Sequence, residues 1–399
     1  MRLTIFAFDI PYPAHRGGRA DVWRRLVALH SLGCQIQLVC WINKENKAPT
    51  ADEIEHIRSK VVSLTVYKLR QGKAEFVVRL ARIHKAPSHV SARRLSAQEY
   101  KALQVETQAF DPDVVWIEGP YPAEVGLRIA TSLNKPVFYR SHNIEHVYMQ
   151  RQADAAKSWR QKLSWRLACV GLKRFELNAM QRAEHVFDIS TDDMAFWRSM
   201  GVSDISCLPP LSEAAIRPPR EAGSARSRDV VFVGNLTTPN NIRGVEFLTQ
   251  EVMPLVWQQL PNARLTVAGS RPTERTRRLV ASDGRVELLE DVPDAVEVMA
   301  SARVLVNPVQ TGSGVMVKVL DMLMTDAPVV SSPQGACGLP TAVRQQLRIA
   351  DGKADFAAAV VDCLQKPGIN AAARESAREY FSLESIRQLA VRLRVWASA

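Results

Sequence analysis

The sequence lacks several patterns that would assign a protein to a class at once. Its 399 residues contain no apolar run near the roughly 18 residues that a membrane-spanning helix needs. Its six cysteines form no C-x-x-C pair, which argues against a zinc cage or a disulfide framework. No G-x-G-x-x-G, helix-turn-helix, RNP or zinc-finger pattern is present, so nothing points to a nicotinamide dehydrogenase or a nucleic-acid-binding protein. Asp9 ends the apolar stretch Leu3–Phe8, so we expect a first strand, not a signal peptide, and a cytoplasmic protein.

The composition is that of a packed protein. Hydrophobic residues make up 46% and charged residues 23% of the chain, which excludes disorder, collagen and a coiled coil as descriptions of the whole. A single hydrophobic core rarely grows beyond about 250 to 300 residues. The length therefore predicts two domains.

The order of the segments predicts an α/β fold. Short β-branched runs alternate with helical segments, which is typical of parallel sheets with helical crossovers. We expect an N-terminal Rossmann-like domain at 1–210, a linker at 211–228 in which prolines precede a segment of Ser, Ala, Gly and Arg, a second Rossmann-like domain at 229–375, and a C-terminal helix at 376–399 that packs back on the first domain. Ligands of such sheets bind beyond the carboxyl ends of the strands.

Positive charge is concentrated in the first half of the chain. The net charge is +11, and residues 1–200 hold 30 Lys and Arg against 20 Asp and Glu. Tyr67–Lys101 has nine basic and two acidic residues, and Arg151–Arg182 has eight and two. Both stretches also contain apolar side chains. We expect them to meet an anionic membrane surface, and the alternative is that they are ordinary solvated helix faces.

Two loops of the first half carry candidate functional residues. Gly17 and Gly18 precede the first predicted helix, where backbone amides and the helix dipole favour a phosphate, although glycines there also form plain turns. The segment Arg140–His146 follows a predicted strand and contains H-x-x-E-H, which on one helix is a zinc-peptidase motif. Because His142 comes so soon after the strand, we expect it instead in the loop or first helical turn facing the cleft.

The second half places Gly-rich loops after its predicted strands. One contains Gly234–Asn235, and another contains Gly312 and Gly314 just before a helix. Lys318 lies one turn into that helix, at an end that we expect to be solvated, and Asp321 follows one turn later on the same face. Free amides, a lysine charge and a carboxylate that accepts hydroxyls describe a site for a sugar diphosphate and its ribose. A mere surface ion pair between the two side chains is the alternative.

With these residues the chain resembles the retaining GT-B glycosyltransferases of family 4. The segments that carry the resemblance are FVGNLTTPNN, PNARLTVAGSRP, NPVQTGSGVMVKVLD and APVVSSPQGACGL in the second half, and IPYPAHRGG and YRSHNIEH in the first. The resemblance implies two doubly wound domains that face each other across a cleft. It also implies transfer of a sugar from a nucleoside diphosphate sugar to an acceptor hydroxyl, with retention at the anomeric carbon.

The resemblance assigns roles to individual residues. His142 and Lys318 would be catalytic, with the histidine over the donor sugar and the lysine at the departing diphosphate. The donor-binding residues would be Gly17, Gly18, Gly234, Asn235, Gly312, Ser313, Gly314, Lys318 and Asp321. The acceptor side would hold Arg16, Glu118 and Asn143. No metal or other cofactor is required by this reaction.

The chain departs from the family pattern at two points that bear on donor binding. Gly234–Asn235 stands where the family commonly has a Gly-Arg-x-Lys diphosphate clamp, which leaves Lys318 as the principal charge on the phosphates. The family usually has two glutamates seven residues apart, and Ser313 and Asp321 stand at those positions. Ser313 motivates one alternative, an inactive protein that only binds a sugar nucleotide. A GT-B nucleotide-sugar epimerase, which uses the same two-domain cleft, is the other. We expect the acceptor to be lipid-linked and the enzyme to lie peripherally on the inner face of the cell membrane, in bacterial surface polysaccharide or glycolipid biosynthesis. No nucleic-acid partner is expected.

Overall fold

The chain forms two compact units. The computed structural model describes residues 1–14, 17–43, 49–156, 158–212, 226–310, 315–325, 327–366, 375 and 380–397. Unit 1 comprises Met1–Leu208 and Ile386–Ala399, and unit 2 comprises Pro209–Ser385. The linker predicted at 211–228 falls mostly on residues 213–225, which lie outside the described residues.

Strands and helices alternate through unit 1. In chain order they are β1 (Arg2–Ala7), α1 (Gly17–Ser31), β2 (Gln35–Ile42), α2 (Ala51–Arg58), β3 (Ser63–Lys68), α3 (Lys73–Ala81), α4 (Ser88–Ser91), α5 (Ala97–Phe110), β4 (Val114–Glu118), α6 (Ala123–Leu133), β5 (Val137–Ser141), α7 (Glu145–Ala155), α8 (Trp159–Cys169), α9 (Leu172–Gln181), β6 (His185–Asp188), α10 (Thr191–Ser199) and β7 (Ile205–Cys207).

Unit 2 repeats the alternation. Its strands and α-helices are β8 (Arg228–Val233), α11 (Pro239–Phe247), α12 (Met253–Gln259), β9 (Leu265–Gly269), α13 (Glu274–Ala281), β10 (Val286–Glu290), α14 (Ala295–Ala300), β11 (Ala302–Asn307), α15 (Val317–Leu323), β12 (Val329–Ser331), α16 (Thr341–Arg344), β13 (Arg348–Ile349) and α17 (Gly352–Gln365). A π-helical turn at Leu248–Val252 joins α11 to α12, and a 3-10 turn at Gln334–Ala336 follows β12. The last helix of the chain is α18 (Leu383–Ala397).

Both sheets are parallel and wound in two directions. The strand order is β3-β2-β1-β4-β5-β6-β7 in unit 1 and β10-β9-β8-β11-β12-β13 in unit 2. The predicted α/β class with two doubly wound sheets is therefore confirmed. The order reverses beside β1 and β4 in one sheet and beside β8 and β11 in the other, and such reversals open a crevice at the carboxyl ends of the strands.

The central strands are the most buried parts of each unit. Every residue of β4 is buried, as is every residue of β9, because helices cover both faces of a parallel sheet. Two of the described helices begin at a capping box, in which side chain and backbone satisfy each other's hydrogen bonds. Thr50 and Glu53 form one at α2, and Ser96 and Glu99 form another at α5.

The end of the chain groups with unit 1. The Trp396 ring stacks on His185 at 4.9 Å between ring centroids and lies 5.1 Å from the Phe138 ring. These contacts place α18 against β5 and β6. Among the described residues, no helix is both long enough and apolar enough to cross a bilayer.

Candidate functional site

His142 lies in the loop after β5, between two carboxylates. Its Nε2 is 2.7 Å from Glu118 Oε2, and its Nδ1 is 3.2 Å from Asp21 Oδ2. Glu118 ends β4 and Asp21 lies near the start of α1, so the crevice beside β1 brings all three together. A neutral imidazole has a single N–H, and both contacts can be hydrogen bonds only if the ring carries two. The geometry therefore favours the imidazolium form of His142.

Two arginines complete this buried cluster. Arg25 Nη2 donates to Glu118 Oε1 at 2.6 Å, and Arg140 Nη2 donates to Asp21 Oδ2 at 3.0 Å. Burial by itself raises the pKa of Glu118, but Arg25 and then His142 outweigh it and lower that pKa to about 2. Burial likewise lowers the pKa of His142, and the hydrogen bonds to Asp21 and Glu118 more than offset this and raise it. Three cations against two anions leave the cluster with one net positive charge.

The predicted glycine loop packs next to this cluster. The Phe8 ring lies edge-on to the His142 ring, with 5.7 Å between centroids. A Cβ on Gly18 would come within 3.1 Å of Phe8 Cζ, so a larger residue there would crowd the Phe8 ring. Gly17 is exposed at the first position of α1. Arg16, predicted on the acceptor side, lies outside the described residues.

The other two acceptor-side predictions fall in different surroundings. Glu118 is buried, and its Oε1 accepts from the indole N–H of Trp116 at 2.7 Å in addition to Arg25. Asn143 is partly buried, and its side chain hydrogen-bonds to Glu145. The carboxylate of Glu118 is thus turned into the cluster around His142.

The remaining members of the H-x-x-E-H string have their own partners. His146 Nδ1 is 2.7 Å from Glu176 Oε2, while Glu145 Oε2 accepts from the Tyr121 hydroxyl at 2.7 Å. Burial raises the pKa of Glu145 to about 7. The two histidines of the string therefore hold different carboxylates. Within the described ranges, no group of three or more His, Cys, Asp or Glu side chains is arranged to bind a metal ion.

In unit 2, two loops meet so closely at the ends of β8 and β9 that glycine is required. A Cβ on Gly269 would lie 1.9 Å from the carbonyl oxygen of Gly234. The amide of Asn241, on α11, donates to the carbonyl oxygen of Asn235 at 2.9 Å and holds the first loop in place. The Asn235 side chain itself accepts from the backbone N–H of Thr237 at 2.9 Å. This loop is a fixed turn at the carboxyl end of a central strand.

Lys318 points at the same loop. Its Nζ donates to Asn241 Oδ1 at 3.2 Å and lies 4.5 Å from the centroid of the Phe232 ring. The expectation of a solvated lysine was wrong, because the side chain is partly buried between Phe232, near the end of β8, and Asn241. Burial lowers its pKa to about 7. Lys318 thus lies beside β8, where the strand order of the second sheet reverses, and its pKa is close to neutral pH.

Asp321 lies one turn further along α15 and is buried. Its Oδ1 accepts from the Ser212 hydroxyl at 3.2 Å. Lys318 thus donates to Asn241, while Asp321 accepts from Ser212. Gly312, Ser313 and Gly314, predicted to bind the donor, lie outside the described residues.

Four residues that contact His142, its carboxylates or Lys318 were not predicted as site residues: Asp21, Arg25, Arg140 and Asn241. Three of them could have been recognised from the sequence. Arg140 is a charged residue inside the short strand VFYRS, and a buried strand charge needs an ionic partner. Asp21 and Arg25 are spaced i, i+4 on α1, the spacing at which opposite charges pair on a helix. Asn241 gave no signal, since its role depends on the loop that it contacts.

The segment from β8 to α17 matches a known family. Residues 227–366 match the family model Glycosyl transferases group 1. The matched segment contains Gly234, Asn235, Lys318 and Asp321.

Solved structures with the same fold are distant in sequence. Sucrose-phosphate synthase from Thermosynechococcus elongatus superposes with a TM-score of 0.65 at 14% identity, over 100% of both chains. HepE of Anabaena in complex with UDP gives a TM-score of 0.65 at 12% identity, over 99% of this chain and 100% of that one. These likenesses show that the α/β fold, with parallel sheets of seven and six strands, is that of GT-B glycosyltransferases.

One relative covers most of the chain. A protein of Klebsiella pneumoniae, described as an uncharacterized 44.6 kDa protein in the cps region, is 26% identical over 371 residues, 90% of each chain. Together, the family match and the fold support a glycosyltransferase as the class of enzyme.

Proposed function

We propose that the protein is a retaining glycosyltransferase of the family 4 type, a hexosyltransferase that uses a nucleoside diphosphate sugar. The observation that carries the proposal is the partly buried position of Lys318. Burial disfavours its charge, Asn241 and Phe232 fix its position, and it lies inside the segment that matches glycosyl transferases group 1. A bound diphosphate would supply the anion that such a cation needs.

The reaction exchanges one bond of the anomeric carbon for another. The bond from that carbon to the β-phosphate oxygen breaks, and a bond to the acceptor oxygen forms on the same face of the sugar. The proton of the acceptor hydroxyl passes to the departing phosphate oxygen, so no protein base is named. Lys318 and the backbone amides of Gly17, Gly18, Gly312 and Gly314 would stabilise the charge on the leaving group. One lost donor in such a preorganised site costs roughly 3 to 4 kcal/mol.

The remaining donor-site residues would hold the ends of the nucleotide sugar. Asp321 would accept hydroxyls of the ribose, while Gly234, Asn235 and Ser313 would line the diphosphate and sugar. His142 would lie over the donor sugar. Because both of its ring nitrogens contact carboxylates, we propose that it acts as a fixed cation and not as a proton acceptor. We propose that the reaction needs no metal ion, so a chelator would leave activity unchanged.

Two similar proteins support a proposal for the pathway and the donor. The Klebsiella relative is described by its place in a cps region, and HepE has been solved with UDP and with UDP-glucose. We propose a role in bacterial surface polysaccharide or glycolipid biosynthesis, with a UDP-sugar among the first donors to test. The acceptor would be a lipid-linked sugar, and the enzyme would work in the cytoplasm on the inner face of the cell membrane.

A panel of nucleotide sugars tests the donor site. UDP-, GDP-, ADP- and TDP-sugars are added to the purified chain, and its thermal unfolding is followed. The correct donor at about 100 times its Kd adds ~2.7 kcal/mol of stability. Lys318→Met, which keeps the length of the side chain and removes its charge, should lose this gain. A panel in which no nucleotide sugar stabilises the protein would contradict the proposal.

Product analysis separates the proposal from its two alternatives. Release of the nucleoside diphosphate only when a lipid-linked acceptor is present supports transfer. Release or epimerisation with donor alone would support the epimerase. Tight donor binding without turnover across a range of acceptors would support the inactive binding protein.

A further inference from the structure

Two helices of unit 1 hold large apolar side chains in solvent. Helix α3 has no buried residue, and Phe76, Val77 and Leu80 on it are 47%, 64% and 45% exposed. On α8, Trp159 is 70% and Leu163 is 49% exposed. Single apolar residues on a surface are common, but contiguous groups of them mark interaction sites.

The two helices belong to one surface although about 80 residues of sequence separate them. The segment that follows α3 touches the turn between α8 and α9, since a Cβ on Gly171 would lie 3.9 Å from the carbonyl oxygen of Ile83. A groove of about 980 Å³ runs between these segments and is lined by residues 83–87 and 169–181 in part. We call α3, α8 and this groove the α3–α8 surface.

Nine of the 17 basic residues of the two stretches form two sets that bear on this surface. Four in the first stretch are used inside unit 1: Arg70, Arg82 and Arg94 pair with Glu99, Glu124 and Glu75, and Arg93 donates to the Phe8 carbonyl. A second set is exposed and belongs to the α3–α8 surface. It consists of Lys85, Lys173 and Arg174 in the groove and Arg160 and Arg166 on α8.

We propose that the α3–α8 surface is the face by which unit 1 docks on an anionic lipid bilayer. The apolar side chains of α3 and α8 enter the interface between headgroups and acyl chains, and the groove cations contact headgroup phosphates. This combination of exposed aromatic and aliphatic residues with lysines and arginines is the chemistry of an interfacial helix. A second copy of the chain fits poorly, because two surfaces of the same positive charge repel each other.

The proposal rests on the proposed function in one respect: a lipid-linked acceptor would lie in the membrane to which this surface binds. Its first test is co-sedimentation of the full chain with vesicles of phosphatidylcholine alone or mixed with phosphatidylglycerol, at low and high salt. Binding should require the anionic lipid and weaken with salt, because the Debye length falls from about 30 Å at 0.01 M to about 8 Å at physiological ionic strength. Binding that ignores lipid charge and salt overturns the proposal.

A triple charge reversal tests the groove. Each basic residue near an anionic surface strengthens binding roughly fivefold, so Lys85→Glu, Lys173→Glu and Arg174→Glu together should weaken it by at least about 100-fold. The matched control is Arg58→Glu, an exposed arginine at the end of α2 and outside both stretches. Equal losses in the control and the triple variant would refute a defined docking surface.

The apolar part of the surface has its own test. Trp159→Ser with Leu163→Ser should reduce vesicle binding several-fold, whereas Val105→Ser, which changes an exposed apolar residue on α5, should not. Brominated lipids should quench tryptophan fluorescence in the wild type and much less in Trp159→Phe. Unchanged quenching, or self-association of the wild type that the Ser variants abolish, would overturn the proposal. Stabilisation by a nucleotide sugar should stay the same in every variant, so failure of docking and failure of the donor site can be told apart.

Discussion

Replacing Lys318 by methionine should make the ligand-free protein more stable and remove its affinity for a nucleoside diphosphate sugar. In the wild type, burial lowers the pKa of this lysine from 10.5 to about 7. The unfolded chain therefore keeps a proton that the folded chain loses between those two values, and stability rises as the pH increases from about 7 toward 10.5. The methionine variant lacks this rise.

The size of the effect follows from the shift. Each pKa unit corresponds to about 1.4 kcal/mol, so a charged Lys318 at neutral pH costs the folded state at most about 5 kcal/mol. The side chain is only partly buried, and solvent screening reduces this to roughly 1 to 3 kcal/mol. Lys318→Met should recover that amount in chemical denaturation at pH 7 and much less above pH 10. Lys366→Met, at an exposed lysine paired with Asp362, is the control and should not stabilise.

The same shift predicts proton uptake when the donor binds. The diphosphate of a nucleotide sugar has no pKa near neutrality, so any proton taken up must go to the protein. Because burial lowers the pKa of Lys318 toward neutrality, a bound diphosphate would raise the charged fraction of this side chain. A fraction of a proton should therefore be taken up per donor, and the affinity should weaken as the pH rises through the pKa of the free lysine.

Calorimetric titration in two buffers of different ionisation enthalpy measures this uptake directly. The expected heats differ between the buffers in proportion to the proton taken up, and the difference disappears in Lys318→Met and Lys318→Ala if any binding remains. Equal heats in both buffers for the wild type, or an unchanged Kd in either variant, would refute the role of Lys318 at the diphosphate.

Three further predictions concern other residues of the two clusters. Asp321→Asn should weaken donor binding less than Lys318→Met, since an amide oxygen still accepts one ribose hydroxyl; an equal loss with a dideoxyribose analogue would contradict the contact. His142→Ala should lower kcat by more than roughly tenfold while leaving nucleotide affinity nearly unchanged, as steady-state kinetics and titration would check. Gly269→Ala should destabilise unit 2 by several kcal/mol in thermal unfolding, because its Cβ would collide with the carbonyl oxygen of Gly234, and a melting curve like that of the wild type would show the backbone contact to be loose.

Several features of the fold could be predicted from the sequence alone. The alternation of short β-branched runs with helical segments predicted the α/β class, and the two parallel sheets confirm it. Such segments carry their own hydrophobic period, which a local pattern can report. The strands β7 and β13 have three and two residues, which are too few to show a period. They form only by pairing with the edge of a sheet that already exists.

The candidate residues were found by the same local reasoning, but their chemical states were not. The position of His142 just after a strand can be predicted from the residues next to it in the sequence. That it contacts Asp21 and Glu118, and so favours its charged form, depends on α1 and β4, which lie far from it in the chain. Lys318 was predicted as a solvated cation, and Phe232 and Asn241 make it a partly buried one with a pKa near neutrality.

The sequence by itself thus determined the α/β class, the two parallel sheets and the loops that carry polar residues, because periodicity and glycine placement are local. Only the tertiary structure determined which charges are buried, which of the basic residues in Tyr67–Lys101 pair inward, and that α3 and α8 share a surface. The physical reason is that burial and Coulomb interactions depend on distances in space. Those distances are set by the winding of the sheet and not by spacing along the chain.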